Sequence, residues 1–309
     1  MSDYQTLLTD VTDKVATIWL NRPEHRNSFS PDMTRELHEA FGRFEADDGV
    51  RAIVVTGSGK YFSAGADLGR RGGGTFSRPA GSNAGDADSP DADNRGQQQR
   101  TERAEPRRMR TPIIAAMNGS AVGMGITLPV SWDIRFAAAD AKYGFVFTRR
   151  GIVPEAGSTW MLPRLVGVSQ AMELLLSGRI FSGAEGAAMG LFSRALPADE
   201  VLPAAQEFAR DLAVNTSPVS VAATKALVYN GLGQDREYSH AIEHQVFRWM
   251  GNQPDAREGV TAFLEKRTPD WPLSKSKDYP PMLLAPCDSS VLIARVEAPL
   301  PASGDIVVP

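Results

Sequence analysis

The most constraining feature of this chain is the stretch from Arg51 to Leu68, RAIVVTGSGKYFSAGADL. Its apolar run Ala52 to Val55 has the length and composition of a buried strand, which Thr56-Gly57 ends. A glycine-rich turn and small residues follow, and they leave the backbone open to close approach by a ligand. Because such a segment offers backbone N–H groups to a pocket, it predicts one half of an oxyanion-binding site. A second glycine-rich stretch, Asn118 to Gly125, predicts the other half.

The residues before this stretch predict a mixed α/β fold. Tyr4 to Asp10 and Lys14 to Leu20 have the pattern of a hairpin. Ser30-Pro31 has the signature of a helix start, with serine as N-cap and proline at the first helical position. The apolar residues of this helix recur on one face: Met33, Leu37, Ala40, Phe41 and Phe44. Strands on both sides of a helix are typical of layered α/β folds.

The rest of the chain differs in character from one segment to the next. Residues 69–103 contain almost no large apolar side chain, so a mobile insertion is expected there, either a lid or a tolerated surface loop. Further strands are predicted at Ile113 to Met117 and Asp133 to Ala138, and the pattern becomes mainly helical from Ser158 onward. After Pro269 the chain is proline-rich, and we expect it to wrap a surface or stay mobile.

Composition and charge exclude several classes of protein. A formal net charge of −4 gives no broad attraction for nucleic acid, and brief basic runs such as Arg149-Arg150 are expected on the solvated surface. No apolar stretch approaches the roughly 20 residues of a membrane span. The single cysteine, Cys287, excludes an intrachain disulfide framework, and the N-terminus shows no secretory signal. We expect a soluble, cytoplasmic protein that binds neither nucleic acid nor membranes.

Several motifs together resemble one known family. They are Asn21-Arg22-Pro23 with Asn27, FSAGADL at 62–68, NGSAVGMG at 118–125, GIVP at 151–154 with LPRLVG at 162–167, and GVTAFLEK at 259–266. In this order they are similar to the crotonase (enoyl-CoA hydratase/isomerase) superfamily, and the resemblance covers about residues 4–268. The insertion and the tail after residue 270 lie outside it.

This resemblance implies an architecture and a class of substrate. It implies a spiral core of ββα turns over residues 1–215, a helical C-terminal trimerisation region at 216–268 and an extended tail at 269–309. It also implies a homotrimer or a dimer of trimers that acts on acyl-CoA thioesters. Coenzyme A then belongs to the substrate, and no separate cofactor is expected. His240 to His244 matches an H-x-x-E-H pattern but lacks a clear third ligand, so no metal site is predicted.

The resemblance further implies which residues bind the thioester. In the family two backbone N–H groups hold the thioester oxygen and stabilise an enolate, and they map onto Ala66 and Met124. Other residues of the two glycine-rich stretches are expected to contact the substrate: Ala64, Asp67, Leu68 and Gly123. The alternative for Asp67 is a role in ordering its loop or capping the next helix.

Contacts to coenzyme A are implied at three further positions. Arg26 stands where the family often presents a basic residue to the CoA phosphates, and a solvated arginine is the alternative. Phe263 and Lys266 lie on the last helix, which in the family reaches the CoA of an adjacent subunit. Ordinary packing of Phe263 and a solvated Lys266 are the alternatives.

The acidic residues predict which reaction is favoured. Hydratases of this family use two glutamates, which map here onto Thr127 and Phe147, and neither residue is an efficient proton-transfer group. One replacement carboxylate, Glu155, stands at a loop position where double-bond isomerases of the family carry an acid. A single carboxylate suffices for a 1,3 proton shift, and Ile152, Val153 and Trp160 are expected to raise its pKa by desolvation. The alternative for Glu155 is an exposed acid that caps the helix near Ser158.

We therefore predict a double-bond isomerase of the Δ3-Δ2-enoyl-CoA type. Two other functions stay open at this point: an enoyl-CoA hydratase, and a homologue that binds acyl-CoA or a protein partner without turnover. The missing glutamates motivate the last of these.

Overall fold

The strand predicted at Ala52 to Val55 lies inside a parallel sheet in the structure, a computed structural model that describes residues 4–67 and 105–284. The expectations for Leu68, for the insertion 69–103 and for the chain after residue 284 lie outside these residues. The described strands are β1 (Leu7–Thr12), β2 (Val15–Leu20), β3 (Ala52–Gly57), β4 (Ile113–Met117), β5 (Ala121–Val122), β6 (Ile134–Ala138), β7 (Lys142–Gly144), β8 (Ile180–Ser182) and β9 (Arg194–Leu196). The described helices are α1 (Pro31–Ala46), α2 (Met124–Val130), α3 (Ser158–Val166), α4 (Val168–Ser177), α5 (Gly183–Ala188), α6 (Val201–Asn215), α7 (Pro218–Gly231), α8 (Arg236–Gly251) and α9 (Pro254–Glu265).

The main described sheet has six strands in the order β1-β2-β3-β4-β6-β9. Strands β1 and β2 form the predicted hairpin and pair antiparallel, whereas every other neighbouring pair is parallel. A parallel sheet of this kind requires cover on both faces. The mixed α/β class expected from the sequence is confirmed.

Strand β3 shows how both faces are covered. Ile53 and Val55 belong to the larger apolar core, whereas Ala52 and Val54 belong to a second core on the opposite face. The predicted apolar face of α1 packs into the larger core, with Met33 and Phe41 buried. Helix α6 covers the other face through small residues spaced four apart: Ala205, Ala209 and Ala213.

Helix α1 begins where the sequence predicts. The side-chain oxygen of Ser30 accepts a hydrogen bond from the Met33 amide at 3.2 Å, and Pro31 occupies the first helical position. The cap satisfies one of the amides that a helix start leaves without a partner. The entry of this helix is therefore fixed by local sequence.

A second described sheet joins three very short strands, in the order β5-β7-β8. The sequence predicts an extended piece at Tyr143 to Phe147, but the strand covers only Lys142 to Gly144. Strands β5, β8 and β9 contain two or three residues each, too few for an apolar periodicity. Their pairing is set by contacts between distant parts of the chain.

Residues beyond α9 pack back onto the core. The Trp271 indole N–H donates to the Val214 carbonyl at 3.0 Å. Lys275 is buried, and its Nζ donates to the carbonyls of Phe44 at 3.0 Å and Val50 at 2.8 Å and to Thr111 Oγ1 at 2.6 Å. The tail was expected either to wrap a surface or to stay mobile. Up to residue 284 it wraps the surface of the core.

Among residues 4–67 and 105–284, no helix is both long enough and apolar enough to cross a membrane.

The Lys275 contacts predict a loss of stability on substitution. Lys275→Met leaves three buried acceptors without their charged donor, so we expect the free energy of unfolding to fall by about 2 kcal/mol. Chemical denaturation measures this change. Lys277→Met is the matched control, because Lys277 is exposed and should change little. Equal effects of the two substitutions would contradict an anchoring role for Lys275.

Candidate active site

The two glycine-rich stretches lie side by side. The Ser63 amide donates to the Ser120 carbonyl at 3.3 Å, and the Val122 amide donates to the Ser63 carbonyl at 3.2 Å. These bonds form a parallel bridge between Ser63 and Ala121. The segment after β3 is thereby joined to the segment after β4.

Glycine is required at two positions of this contact. Gly65 has a φ of 88°, and a Cβ there would lie 2.6 Å from the Val122 carbonyl oxygen and 3.4 Å from the Met124 nitrogen. A Cβ at Gly125 would lie 2.5 Å from the Ser63 carbonyl oxygen. A side chain at either position would push the two backbone segments apart. Glycine at both positions is therefore what allows the segments to lie this close together.

The amides of Ala66 and Met124 are left available by this geometry. Met124 is the first residue of α2, where an amide has no acceptor within its own helix. Around Ala66, the Gly65 carbonyl accepts from the Phe29 amide at 2.8 Å, and the Asp67 amide donates to the Phe29 carbonyl at 3.0 Å. Within residues 4–67 and 105–284 no hydrogen bond from either amide is found.

Both residues line a cavity of about 190 Å³. Its other described walls come from the two glycine-rich stretches and from the chain between β7 and α3: Ala64, Gly65, Val122, Gly123, Val146, Phe147, Arg150, Ile152 and Glu155. The lining is mostly apolar, with one acidic and one basic side chain. Such a site binds an apolar group and orients it through a few polar ones.

Glu155 reaches this cavity from the loop before α3. Left-handed backbone at Ala156, with a φ of 55°, and at Gly157, with a φ of 71°, turns the chain directly after it. The Glu155 carboxylate lines the cavity and accepts a hydrogen bond from the Thr127 hydroxyl. Helix α3 begins without a side-chain cap, so the alternative role of Glu155 as an exposed capping acid is wrong.

Burial raises the pKa of the Glu155 carboxyl, and the hydrogen bond from Thr127 offsets only part of that rise. Of the residues expected to cause the desolvation, Ile152 lines the cavity. Val153 is 79% exposed, so its expected contribution was wrong. Trp160 is not part of the cavity wall, and its ring contacts the guanidinium groups of Arg107 and Arg164.

Thr127 and Phe147 occupy the positions that the resemblance assigns to the hydratase glutamates. Thr127 is fully buried beside Glu155, and Phe147 lines the cavity with only 4% of its surface exposed. Glu155 is therefore the only carboxylate among the described lining residues.

The remaining residues predicted near the thioester have different surroundings. Ala64 and Gly123 line the cavity. Asp67 forms an ion pair with Arg22 at 2.9 Å, in agreement with the alternative role of ordering its loop. Arg26 is exposed, and its guanidinium lies 5.6 Å from the centre of the Tyr61 ring. Leu68 lies outside the described residues.

Phe263 and Lys266 lie at the end of α9 and take no part in the cavity wall. Phe263 is 81% exposed, and Lys266 is an exposed residue in left-handed conformation. Contact of either residue with the CoA of an adjacent subunit stays a prediction.

Outside the two glycine-rich stretches, two cavity residues were given no role from the sequence, Val146 and Arg150. Arg150 is exposed, as expected, yet it also lines the cavity, and its Nη1 donates to the Val146 carbonyl at 3.0 Å. No local pattern in the sequence marks either residue as part of a cavity, because that position depends on tertiary packing. Across the described residues no group of three His, Cys, Asp or Glu side chains is arranged to hold a metal ion.

One family of known proteins is similar to this chain. A family model described as enoyl-CoA hydratase/isomerase matches residues 10–273. An enoyl-CoA hydratase of Alternaria alternata is 38% identical over 258 residues, which cover 83% of this chain and 82% of that protein. The 1,2-epoxyphenylacetyl-CoA isomerase of Escherichia coli is 34% identical over 269 residues, covering 86% of this chain and 97% of that protein.

Solved structures give the same result. The crystal structure of an enoyl-CoA hydratase from Bacillus anthracis matches with a TM-score of 0.74 and 33% sequence identity, and the match covers 86% of this chain and 99% of that one. The fold is thus the crotonase fold, with a helical C-terminal region. The chain belongs to the enoyl-CoA hydratase/isomerase family, and the resemblance based on the sequence motifs is confirmed.

The glycine contact generates a prediction about Gly65. Gly65→Ala places a side chain against the Val122 carbonyl in a left-handed conformation, so we expect the free energy of unfolding to fall by about 2–4 kcal/mol. Gly42→Ala is the matched control, because open space surrounds Gly42 within α1, and it should gain about 0.5–1 kcal/mol. Urea unfolding measures both. A Gly65→Ala protein as stable as the wild type would refute the close contact.

The buried Glu155 carboxyl should make the stability of the folded protein depend on pH. Because the folded-state pKa of Glu155 is raised, its contribution to stability is fully present below the unfolded-state pKa and is lost as pH rises through the folded-state pKa. Glu155→Gln removes this loss. The variant should therefore gain stability relative to the wild type as pH rises from about 4 to 8. Unfolding measured across this range tests the prediction, and a stability difference that is constant or shrinks with pH would contradict it.

Proposed function

We propose that this protein shifts a carbon–carbon double bond of an enoyl-CoA thioester from the β,γ to the α,β position, with Glu155 as the acid–base group. One observation carries the proposal. A single carboxylate faces the cavity lined by Ala66 and Met124, while threonine and phenylalanine occupy the two other positions where the family's hydratases carry acids. A 1,3 proton shift needs one acid–base group, whereas those hydratases use two.

The proposed role of Ala66 and Met124 is to hold the thioester oxygen through their backbone N–H groups. Negative charge develops on this oxygen when the α-proton leaves, and fixed donors in an apolar cavity stabilise it without reorganising. Losing one such donor typically costs about 2.7–4 kcal/mol of transition-state stabilisation. Because the groups belong to the backbone, their positions are set by the fold rather than by a rotamer.

Glu155 then moves the proton. Its carboxylate takes a proton from the α-carbon, and the electron pair of the broken C–H bond spreads over the diene to the thioester oxygen. The protonated carboxyl returns the proton to the γ-carbon, which leaves the double bond conjugated with the thioester. The raised pKa of Glu155 suits both halves of this cycle, because an effective base must also be an effective acid near the working pH.

Hydration of a 2-enoyl-CoA is the second candidate. The names of relatives favour it, since the proteins from Alternaria alternata and Bacillus anthracis are called enoyl-CoA hydratases. In that reaction Glu155 would have to activate a water molecule and also supply the α-proton. The apolar Phe147 beside it provides no second group for this task.

The substrate also defines the expected cofactor and partners. Coenzyme A is part of the substrate in this proposal, and no separate cofactor is required. Arg26 is expected to contact its phosphates. Phe263 and Lys266 are expected to contact it from an adjacent copy of the chain in a homotrimer or a dimer of trimers.

The absorbance of the conjugated thioester tests the reaction. Incubation with a 3-enoyl-CoA should raise this absorbance, because the double bond moves into conjugation. A fall in absorbance with a 2-enoyl-CoA would instead support hydration. No change with either substrate would support a protein that binds acyl-CoA without turnover.

A substitution of Glu155 tests its role. Glu155→Gln should lower kcat by roughly 10²- to 10⁴-fold, the usual contribution of a general base, while the affinity for a saturated acyl-CoA is retained. Glu207→Gln is the matched control, because Glu207 is exposed on α6 and should keep wild-type turnover. Wild-type kcat in the Glu155 variant would remove this residue from the mechanism.

A further inference from the structure

The Thr127 hydroxyl lies between two acceptors that belong to different parts of the site. It donates to Oε1 of Glu155, and the Gly123 carbonyl oxygen lies 3.3 Å from the same Oγ1. A hydroxyl has one proton, so it can serve only one of these acceptors fully at a time. Thr127 is fully buried, and its hydroxyl therefore depends on these neighbours rather than on bulk water.

The Gly123 carbonyl is covalently linked to the proposed oxyanion site. Its carbon is bonded to the Met124 nitrogen, so the Gly123 C=O and the Met124 N–H are the two ends of one peptide unit. This carbonyl also accepts from the amides of Ile126 and Thr127, both at 3.1 Å. A further hydrogen bond to the carbonyl polarises the peptide and makes its N–H a stronger donor, as in any chain of hydrogen bonds.

We propose that Thr127 is a positioning residue that couples the proton on Glu155 to the strength of the Met124 donor. The inference rests on the proposed function, in which Glu155 is the base and Met124 is an oxyanion donor. It adds a role for the side chain that stands where the family's hydratases carry a glutamate.

The coupling follows from a competition between the two acceptors. While Glu155 is ionised, its charged oxygen is the stronger acceptor and holds the Thr127 proton, because charge-assisted hydrogen bonds are about twice as strong as neutral ones. When Glu155 takes the α-proton of the substrate, this advantage disappears and the hydroxyl turns toward the Gly123 carbonyl. The Met124 amide then becomes a stronger donor when the thioester oxygen carries its negative charge. The return of the proton reverses both changes.

The other charged group near Glu155 is on the same cavity wall. Arg150 is the only other ionisable side chain among the described lining residues, and its guanidinium donates to the Val146 carbonyl. It is retained in every variant below. Differences between the variants therefore report on the Thr127 hydroxyl.

Thr127→Val and Thr127→Ser separate the hydroxyl from the bulk of the side chain. Valine keeps the shape and loses the hydroxyl, whereas serine keeps the hydroxyl and loses a methyl group. We expect valine to lower kcat by roughly 10- to 100-fold with little change in the affinity for a saturated acyl-CoA. The acid limb of its pH–rate profile should move to higher pH, because the Thr127 hydrogen bond lowers the pKa of Glu155. Serine should keep a kcat and a pH profile close to those of the wild type.

A spectroscopic measurement follows the coupling without turnover. The infrared carbonyl stretch of a bound saturated acyl-CoA is recorded below and above the acid limb. Protonation of Glu155 should polarise this carbonyl more in the wild type and in Thr127→Ser than in Thr127→Val. Thermal unfolding of each variant shows whether the fold is intact.

The failures of the two proposals are distinguishable. Wild-type kcat and pH profile in a folded Thr127→Val would overturn the coupling, and so would equal losses in the valine and serine variants or equal carbonyl shifts in all three proteins. None of these results touches the role of Glu155, which its own substitution tests. A wild-type kcat in Glu155→Gln would instead remove both proposals.

Discussion

The proposed site depends on one contact, the close approach of two stretches of backbone. Gly65 and Gly125 let the segment after β3 lie against the segment that leads into α2, with the bridge between Ser63 and Ala121 holding them together. Ala66 and Met124, one from each segment, line one cavity. In the proposed mechanism their amides are donors that the fold fixes before any substrate arrives, so they would stabilise developing charge without the cost of reorganisation.

The second requirement is an acid placed in apolar surroundings. Glu155 shares its cavity with the apolar residues Phe147 and Ile152, and burial raises the pKa of its carboxyl. The same burial destabilises the folded state at a pH where the carboxyl must ionise. A group that weakens the fold yet lines a cavity is typical of a functional site, where local stability is lost in exchange for reactivity. The Thr127 hydroxyl lies between this acid and the Gly123 carbonyl and is within hydrogen-bonding distance of both.

Sequence predicted the features that depend on local residues. The Ser30 cap, the apolar face of α1 and the buried run of β3 are local signals, and the structure contains all three. Strands β5, β8 and β9 were not predicted, because two or three residues are too few to show an alternation of apolar and polar side chains. Their conformation depends on pairing with distant parts of the chain. The same holds for the site: the motifs indicated Glu155 and the two amides, whereas the cavity position of Arg150 and the burial of Lys275 arise only from tertiary packing.

The most direct test of this account is a crystal structure with a bound, unreactive acyl-CoA thioester. We expect the thioester oxygen to accept hydrogen bonds from the amides of both Ala66 and Met124, at about 2.7–3.1 Å. We also expect the Glu155 carboxylate to face the α- and γ-carbons from one side of the acyl group. A thioester oxygen bound elsewhere, or a Glu155 carboxylate turned away from the acyl group, would contradict the central claim.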